Sequence, residues 1–379
     1  MSFQLSKTER MVQSLAKEFA EKELAPIAAE MDRENKMEPA ILEKLGKLGF
    51  MGIGVPKEYG GAGFGMMAKS LMVTELSKQC ASTGEIMSVH TMAVNPIMWY
   101  GTEEQKRKYL GGAAKGQIAA FALTEPSAGS DAAGVQTVAL PDGDDYVING
   151  SKCFISNMGD HGDFVTILAR TDPAKGYKGM STIIVDRGTP GFTIGKREDK
   201  MGIRAADVSE LIFQDCRVPR SQLLGQEGKG FGIFMRALDA GRIGMASQAL
   251  GIAEEALRLS KEQLKVRVQF GKPLEKQQGL QWYIADMATN IAAAKALIYE
   301  AAQTYDRGEK VTEIAAICKY YASEIAVEVT NKALQIYSGY GYMKDYPLER
   351  MYRDARIIPI YEGTSEIQKN IIAREELRG

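Results

Sequence analysis

Apolar residues recur along this chain with two different periods, and the change of period divides it into thirds. Ser6 and Glu9 form a capping box, after which Met11, Val12, Leu15, Phe19 and Leu24 fall on one helical face. The same period predicts helices over residues 40–48, Met66–Gln79 and 85–99, and Thr102 caps a further one over 103–110. From about Ile118 to Leu224 the helical period gives way to short β-type runs at 119–123, 146–148, 164–168, 181–185 and 210–213, separated by Gly, Pro and Asp turns. After Gly228 the helical period returns in Ala-, Leu- and Ile-rich stretches at 241–266, 280–307 and Thr312–Tyr337.

That order predicts an α+β multi-domain protein: an all-α domain over 1–117, a compact β domain over 118–226 and a helical bundle over 227–379. Strands do not alternate with helices, which argues against a dinucleotide fold. The glycine run Gly60-Gly61-Ala62-Gly63-Phe64-Gly65 fits no phosphate-loop pattern, because no strand precedes it and Met66 stands where the last glycine should be. It reads as a turn.

Composition narrows the chemistry. A chain of 379 residues, 45% hydrophobic and 25% charged, is an ordinary globular protein with material for more than one core. Its 47 basic and 48 acidic side chains nearly cancel, with no basic run to track a phosphate backbone, so nucleic acid is excluded as a partner. Apolar stretches are too short to span a membrane. The start, Met1 to Gln4 and then directly a helix, leaves no room for a transit segment, which points to the cytoplasm, or to the mitochondrial matrix for an already trimmed form. Cys80, Cys153, Cys216 and Cys318 are far apart and read as buried thiols, and His90 and His161 offer no metal cluster. No metal is expected, so reactive chemistry must come from carboxylates or an organic cofactor.

Three segments are too peculiar to be packing alone. Phe121 to Asp131 is a strand running into a turn rich in hydroxyls and small residues, where a flat or phosphate-bearing ligand could approach the main chain; a simple polar turn is the alternative. Gln335 to Tyr342 interrupts a helix with Gly339 and Gly341 among three tyrosines, which is equally what a helix end looks like. In Ile360-Tyr361-Glu362-Gly363-Thr364, a carboxylate follows an apolar run and precedes a helix that Thr364 can cap. Apolar surroundings raise a carboxyl pKa and make it a usable base, whereas a solvated loop glutamate would do nothing.

Several motifs in order carry a resemblance: Leu123-Thr124-Glu125-Pro126 with Ala128-Gly129-Ser130-Asp131, Gly150-Ser151-Lys152 with Phe154-Ile155-Ser156-Asn157, Arg267 with Gln269-Phe270-Gly271, and Tyr361-Glu362-Gly363-Thr364. Over essentially its whole length the chain resembles the acyl-CoA dehydrogenases, the flavoproteins of fatty acid β-oxidation. The resemblance implies an N-terminal helical domain, a β-barrel-like middle domain and a C-terminal four-helix bundle, assembled as a homotetramer. FAD is the implied cofactor, with Phe121, Leu123, Thr124, Gly129, Ser130, Phe154 and Ser156 around the flavin and its ribityl-pyrophosphate chain. Arg267, Phe270 and Gln278 should reach it across a subunit interface, and Gln335, Gly339 and Thr364 should hold its adenine part. Glu362 is the implied base, taking the α-proton of an acyl-CoA thioester while the β-hydrogen leaves as hydride; an electron-transferring flavoprotein then receives the electrons. Ser130, Asp239, Arg242, Tyr361, Gly363 and Arg374 are the implied substrate contacts.

In the isovaleryl-type branch the base sits on a helix, at a position matched here by Gly241, which cannot abstract a proton. Two departures stand out: Phe154 where many members carry tryptophan, and Glu366 where many carry Gln or Asn. Met87, Val89, Met92, Met98 and Trp99 suggest a filled, shallow acyl cavity and a short-chain substrate such as butyryl-CoA, although Met and aromatic residues at helical spacing are commonly plain core. Alternatives are a branched or cyclic acyl-CoA, dioxygen as acceptor, or an acyl-CoA-binding homologue without turnover.

Overall fold

A computed structural model describes residues 4–378 of the chain. The start at Met1 to Phe3, on which the reading of no transit segment partly rests, lies outside the described residues. Ser6 caps the first helix as its spacing dictates: its hydroxyl accepts from the Glu9 N–H at 3.2 Å and Glu9 returns the bond to the Ser6 N–H at 2.6 Å. Helix α1 (Lys7–Phe19) is followed by α2 (Ala28–Glu34), α3 (Pro39–Lys47), α4 (Met66–Gln79), α5 (Ala81–Tyr100) and the short α6 (Glu103–Gln105) and α7 (Gly111–Ala114). Among these α4 and α5 are buried on nearly every face, because their polar positions hold mostly small Ser, Thr and Asn side chains. The N-terminus of α4 is capped from afar: the Asp306 carboxylate accepts from the N–H groups of Met66 at 2.5 Å and Met67 at 3.0 Å.

Eight strands follow: β1 (Ile118–Ala122), β2 (Val138–Asp142), β3 (Asp145–Ser156), β4 (Gly162–Arg170), β5 (Met180–Asp186), β6 (Phe192–Arg197), β7 (Val208–Pro219) and β8 (Leu223–Leu224). They form one sheet in the order β6-β7-β3-β2-β4-β5-β8, with β1 parallel to β4. A single pairing, Val138 with Arg170, joins β2 to β4, so the sheet folds about that point and inward side chains of both halves, such as Ile148 and Ile183, share one core. The β3–β7 register breaks between Lys152 and Ile155, and Phe154 sits in the break at φ 57° with its ring 66% exposed.

The remaining chain is helical: α8 (Gly230–Val266), a hairpin of β9 (Val268–Gln269) and β10 (Lys272–Pro273), then α9 (Gln278–Asp306), α10 (Thr312–Tyr337), α11 (Leu348–Arg356) and α12 (Ser365–Glu376). With 37 residues α8 is roughly 55 Å long and packs against α4, α5, α9 and α10 at once. One continuous core therefore spans the N- and C-terminal helices, from Leu24 and Met72 to Leu250 and Ala326. No helix among the described residues is long and apolar enough to cross a membrane.

Candidate active site

Two consecutive residues turn the chain between α11 and α12 through left-handed conformations, Glu362 at φ 51° and Gly363 at φ 92°. Such a backbone is uncommon for a residue with a Cβ and persists only where its surroundings over-determine it. Here they do. Lys319 on α10 donates to the Gly363 carbonyl at 2.7 Å, and Gln368 on α12 donates to the carbonyls of Gly363 at 2.9 Å and Glu362 at 3.2 Å. Tyr361 donates its hydroxyl proton to the Gln248 side chain on α8, and Thr364 caps α12 by accepting from the Ile367 N–H at 3.3 Å.

Held in this way, the Glu362 carboxyl keeps both oxygens buried and without any hydrogen-bond partner. Burial pushes its pKa up from 4.5 to about 7; Lys319 and Arg242 pull the other way, and Glu85 adds to the rise. Its place against α8 exists because residue 241 is glycine: a Cβ there would lie 2.4 Å from Glu362 Oε2 and 2.5 Å from Met92 Sδ. Gly241 and Met92 also line a cleft between α4, α5 and α8, with Lys69, Ser70, Thr91 and Asn95 farther along its wall. An unsatisfied carboxyl whose pKa is raised toward neutrality, set against the Gly241 edge of a cleft, is equipped to take a proton from a carbon acid.

The other expected residues fall into three groups. Phe121 is buried against Phe234, with ring centroids 4.1 Å apart, and Leu123 gives its carbonyl to Lys152 at 3.2 Å. The Thr124 carbonyl accepts from the Cys153 N–H at 2.9 Å, which brings the Gly129–Ser130 turn and the exposed Phe154 ring to the same end of the sheet; Ser156 donates to Glu85 at 2.6 Å. Arg267, Phe270 and Gln278 stand on the hairpin and the start of α9, exposed, with Phe270 95% accessible; Arg267 lies over the Tyr340 ring, beside Gln335 and Gly339 at the end of α10. Among the described residues no hydrogen bond, ion pair or ring contact links this third group to Glu362 within one chain. Arg374 is exposed and pairs with Glu375 at 3.4 Å.

Three outcomes add to the sequence reading. Asp239 and Arg242, the implied substrate contacts, form a sheltered pair: Arg242 is 5% exposed, donates to Asp239 at 2.5 Å, and lies near enough to lower the Glu362 pKa. Met87 and Val89 are buried and Trp99 packs half-buried against the helical core, whereas Met92 lines the cleft next to Gly241 and Met98 lines an adjoining one that shares Lys69 and Asn95. Lys69, Lys319, Gln248 and Gln368 carried no signal in a single sequence, since each reads as a solvent-facing polar position on an amphipathic helix.

Family models match most of the chain in succession: the acyl-CoA dehydrogenase N-terminal domain over residues 6–117, the middle domain over 120–216 and the C-terminal domain over 228–377. The chain belongs to the acyl-CoA dehydrogenase family. Acryloyl-CoA reductase (NADH) of Anaerotignum propionicum is 55% identical, covering 100% of this chain and 96% of that protein. Butyryl-CoA dehydrogenase of Megasphaera elsdenii is 45% identical and superposes with a TM-score of 0.98 over 100% of both chains. A chain solved in work on the electron transferring flavoprotein of Acidaminococcus fermentans is 47% identical, with the same TM-score and full coverage of both chains. Acyl-CoA dehydrogenases are FAD-dependent oxidoreductases, and this chain fits that cofactor: the bulge at Phe154 turns an aromatic ring outward, and a Cβ at Gly129 or Gly339 would meet nothing within 4 Å, leaving open backbone beside it.

Proposed function

We propose that this acyl-CoA dehydrogenase desaturates a short-chain acyl-CoA thioester between Cα and Cβ, with Glu362 as the base. The observation that carries this reading is the Glu362 carboxyl, buried and without partners, with its pKa raised to about 7 beside a cleft. Bound FAD supplies a two-electron acceptor. The chain's own work is to hold the thioester carbonyl, for which the Glu362 N–H is suited by family pattern, and to receive the α-proton on a Glu362 oxygen. Lys319 and Arg242 oppose the rise in the carboxyl pKa that burial produces.

Phe121, Leu123, Thr124, Gly129, Ser130, Phe154 and Ser156 form the flavin wall in this reading, with Gln335, Gly339 and Thr364 toward the adenine end. The fully presented Phe270 ring supports a homotetramer in which Arg267, Phe270 and Gln278 of one subunit complete a neighbour's cofactor site. An electron-transferring flavoprotein takes the electrons, and bacterial relatives favour a cytoplasmic location. Functional boundaries at 1–117, 118–226 and 227–379 accompany the assignment.

The test is an anaerobic titration of the purified holoenzyme with saturated acyl-CoAs while its visible spectrum is recorded. Butyryl-CoA should bleach the flavin band, and Glu362→Gln should slow bleaching by about 10²–10⁴-fold. Undiminished bleaching in that variant would remove Glu362 from its role. The identity with acryloyl-CoA reductase favours a second reading, in which the same atoms react toward the saturated thioester and Glu362 delivers the α-proton. Mixing chemically reduced holoenzyme with acryloyl-CoA and following flavin reoxidation distinguishes the preferred direction.

A further inference from the structure

The cleft beside Glu362 is polar in a way that a hydrocarbon tail does not explain. Lys69, on α4, is 7% exposed, and its Nζ donates one long hydrogen bond, 3.4 Å, to Asn95 Oδ1. No carboxylate pairs with it directly among the described residues. Room for the side chain comes from Gly54, where a Cβ would lie 2.1 Å from Lys69 Cε. Next to it Ser70 Oγ is buried without a partner, and both residues line the same cleft as Gly241 and Met92.

Burying an ammonium group without a paired anion is costly. The cost is visible here: burial lowers the Lys69 pKa to about 8, with Asp306 acting in the opposite sense. Asp306 is already engaged, its two oxygens accepting the first N–H groups of α4, so its charge is met by the helix N-terminus. Lys69 is left as a cation with donors to spare, in a wall that also holds an unmet hydroxyl. A methyl-ended acyl chain would add its own apolar surface to these groups and satisfy neither.

We propose that the cleft takes an acyl chain ending in a carboxylate, which pairs with Lys69 Nζ and accepts from Ser70 Oγ. This inference rests on the acyl-CoA reading above and names the class of acyl group: the monothioester of a short dicarboxylic acid. Lys69 is then the specificity determinant, and the desaturation at Glu362 is unchanged.

The experiment compares succinyl-, glutaryl- and adipyl-CoA with butyryl-, valeryl- and hexanoyl-CoA on the holoenzyme. Flavin bleaching gives kcat/KM, and perturbation of the flavin spectrum in a Glu362→Gln background gives binding without turnover. One carboxylated thioester should exceed the methyl-ended thioesters by about tenfold or more in both readouts. Lys69→Met should reverse that order, through KM more than kcat, and Ser70→Ala should narrow it with the fold intact. Preference for methyl-ended chains by the wild type, with the same ratio in Lys69→Met and Ser70→Ala, would overturn the inference and leave Lys69 as a plug that shortens the cleft. Bleaching by none of the six thioesters would instead overturn the acyl-CoA reading, and this inference with it.

Discussion

Glu125 and Glu362 are both buried carboxylates, and the chain treats them in opposite ways. Glu125 lies under the middle sheet, where Lys152 donates to it at 2.8 Å and the N–H groups of Gln136 and Thr137 donate at 2.6 and 3.1 Å. Lys152 spends its other donors on the Leu123 and Leu168 carbonyls at 3.2 and 2.6 Å. Burial pushes the Glu125 pKa up, but Lys152 and these bonds carry it below the ordinary value. Glu362 also has its carboxyl oxygens buried but has none of the bonds, and its pKa rises to about 7. Burial alone therefore does not raise a carboxyl pKa; burial with the hydrogen bonds withheld does. Glu125 holds the β1 turn to β3, while Glu362 is kept free to change its protonation state.

The largest way to break this contrast is on the structural side. Lys152→Met strands Glu125 without its cation, and chemical denaturation should show a loss of about 3–5 kcal/mol. Next comes Gly241→Ala, whose Cβ would displace the Glu362 carboxyl from its place 2.4 Å away. Steady-state kinetics should show turnover falling by about 10²-fold, as expected for a misplaced catalytic group, with the melting temperature changed far less. If turnover survives, Glu362 does not need α8 for its position.

A third experiment reads the contrast through pH. The Glu362 pKa is raised in the folded chain, so the stability linked to this group is fully present below about pH 4.5 and is lost as pH climbs through 7. Glu362→Gln has nothing to lose there. Its stability relative to wild type should increase between about pH 5 and pH 8, by an amount on the order of 1–3 kcal/mol. A difference that is flat with pH would mean the carboxyl titrates normally. The smallest effect expected is that of Thr364→Ala, which removes the α12 cap and should cost about 1 kcal/mol in denaturant titration.

How much of this was legible in the sequence depended on whether local and tertiary forces agreed. Helix α10 spans Thr312–Tyr337, the bounds that periodicity suggests, because its apolar face is regular and Gly339 follows its end. Helix α8 begins at Gly230, well before the Ala-rich stretch at 241–266, since Gly230, Gly241 and Gly244 disguise its first turns. Those glycines serve packing: a Cβ at Gly230 would lie 2.4 Å from the Ser181 backbone, and one at Gly244 would lie 2.1 Å from Ser88 Oγ. Strand β3 likewise runs on to Ser156 through Gly150-Ser151-Lys152, which looks like a turn until Lys152 proves fully buried against Glu125. Within the site, Tyr361-Glu362-Gly363-Thr364 announced itself by motif. Lys69 did not, because nothing in a single sequence distinguishes a lysine that turns inward from one that faces water.

The exclusion between a Cβ at position 241 and the carboxyl of residue 362 also bears on how such a site can change over generations. One small volume serves both positions and has a single tenant. With Glu362 as the proposed base, a lineage that shifted that role onto α8 would gain nothing from either substitution first: a Cβ at Gly241 meets the Glu362 carboxyl, and losing Glu362 removes it. On the proposed assignment the two positions are expected to show reciprocal sign epistasis, and a glycine with no reactive atom of its own then records which arrangement this chain uses.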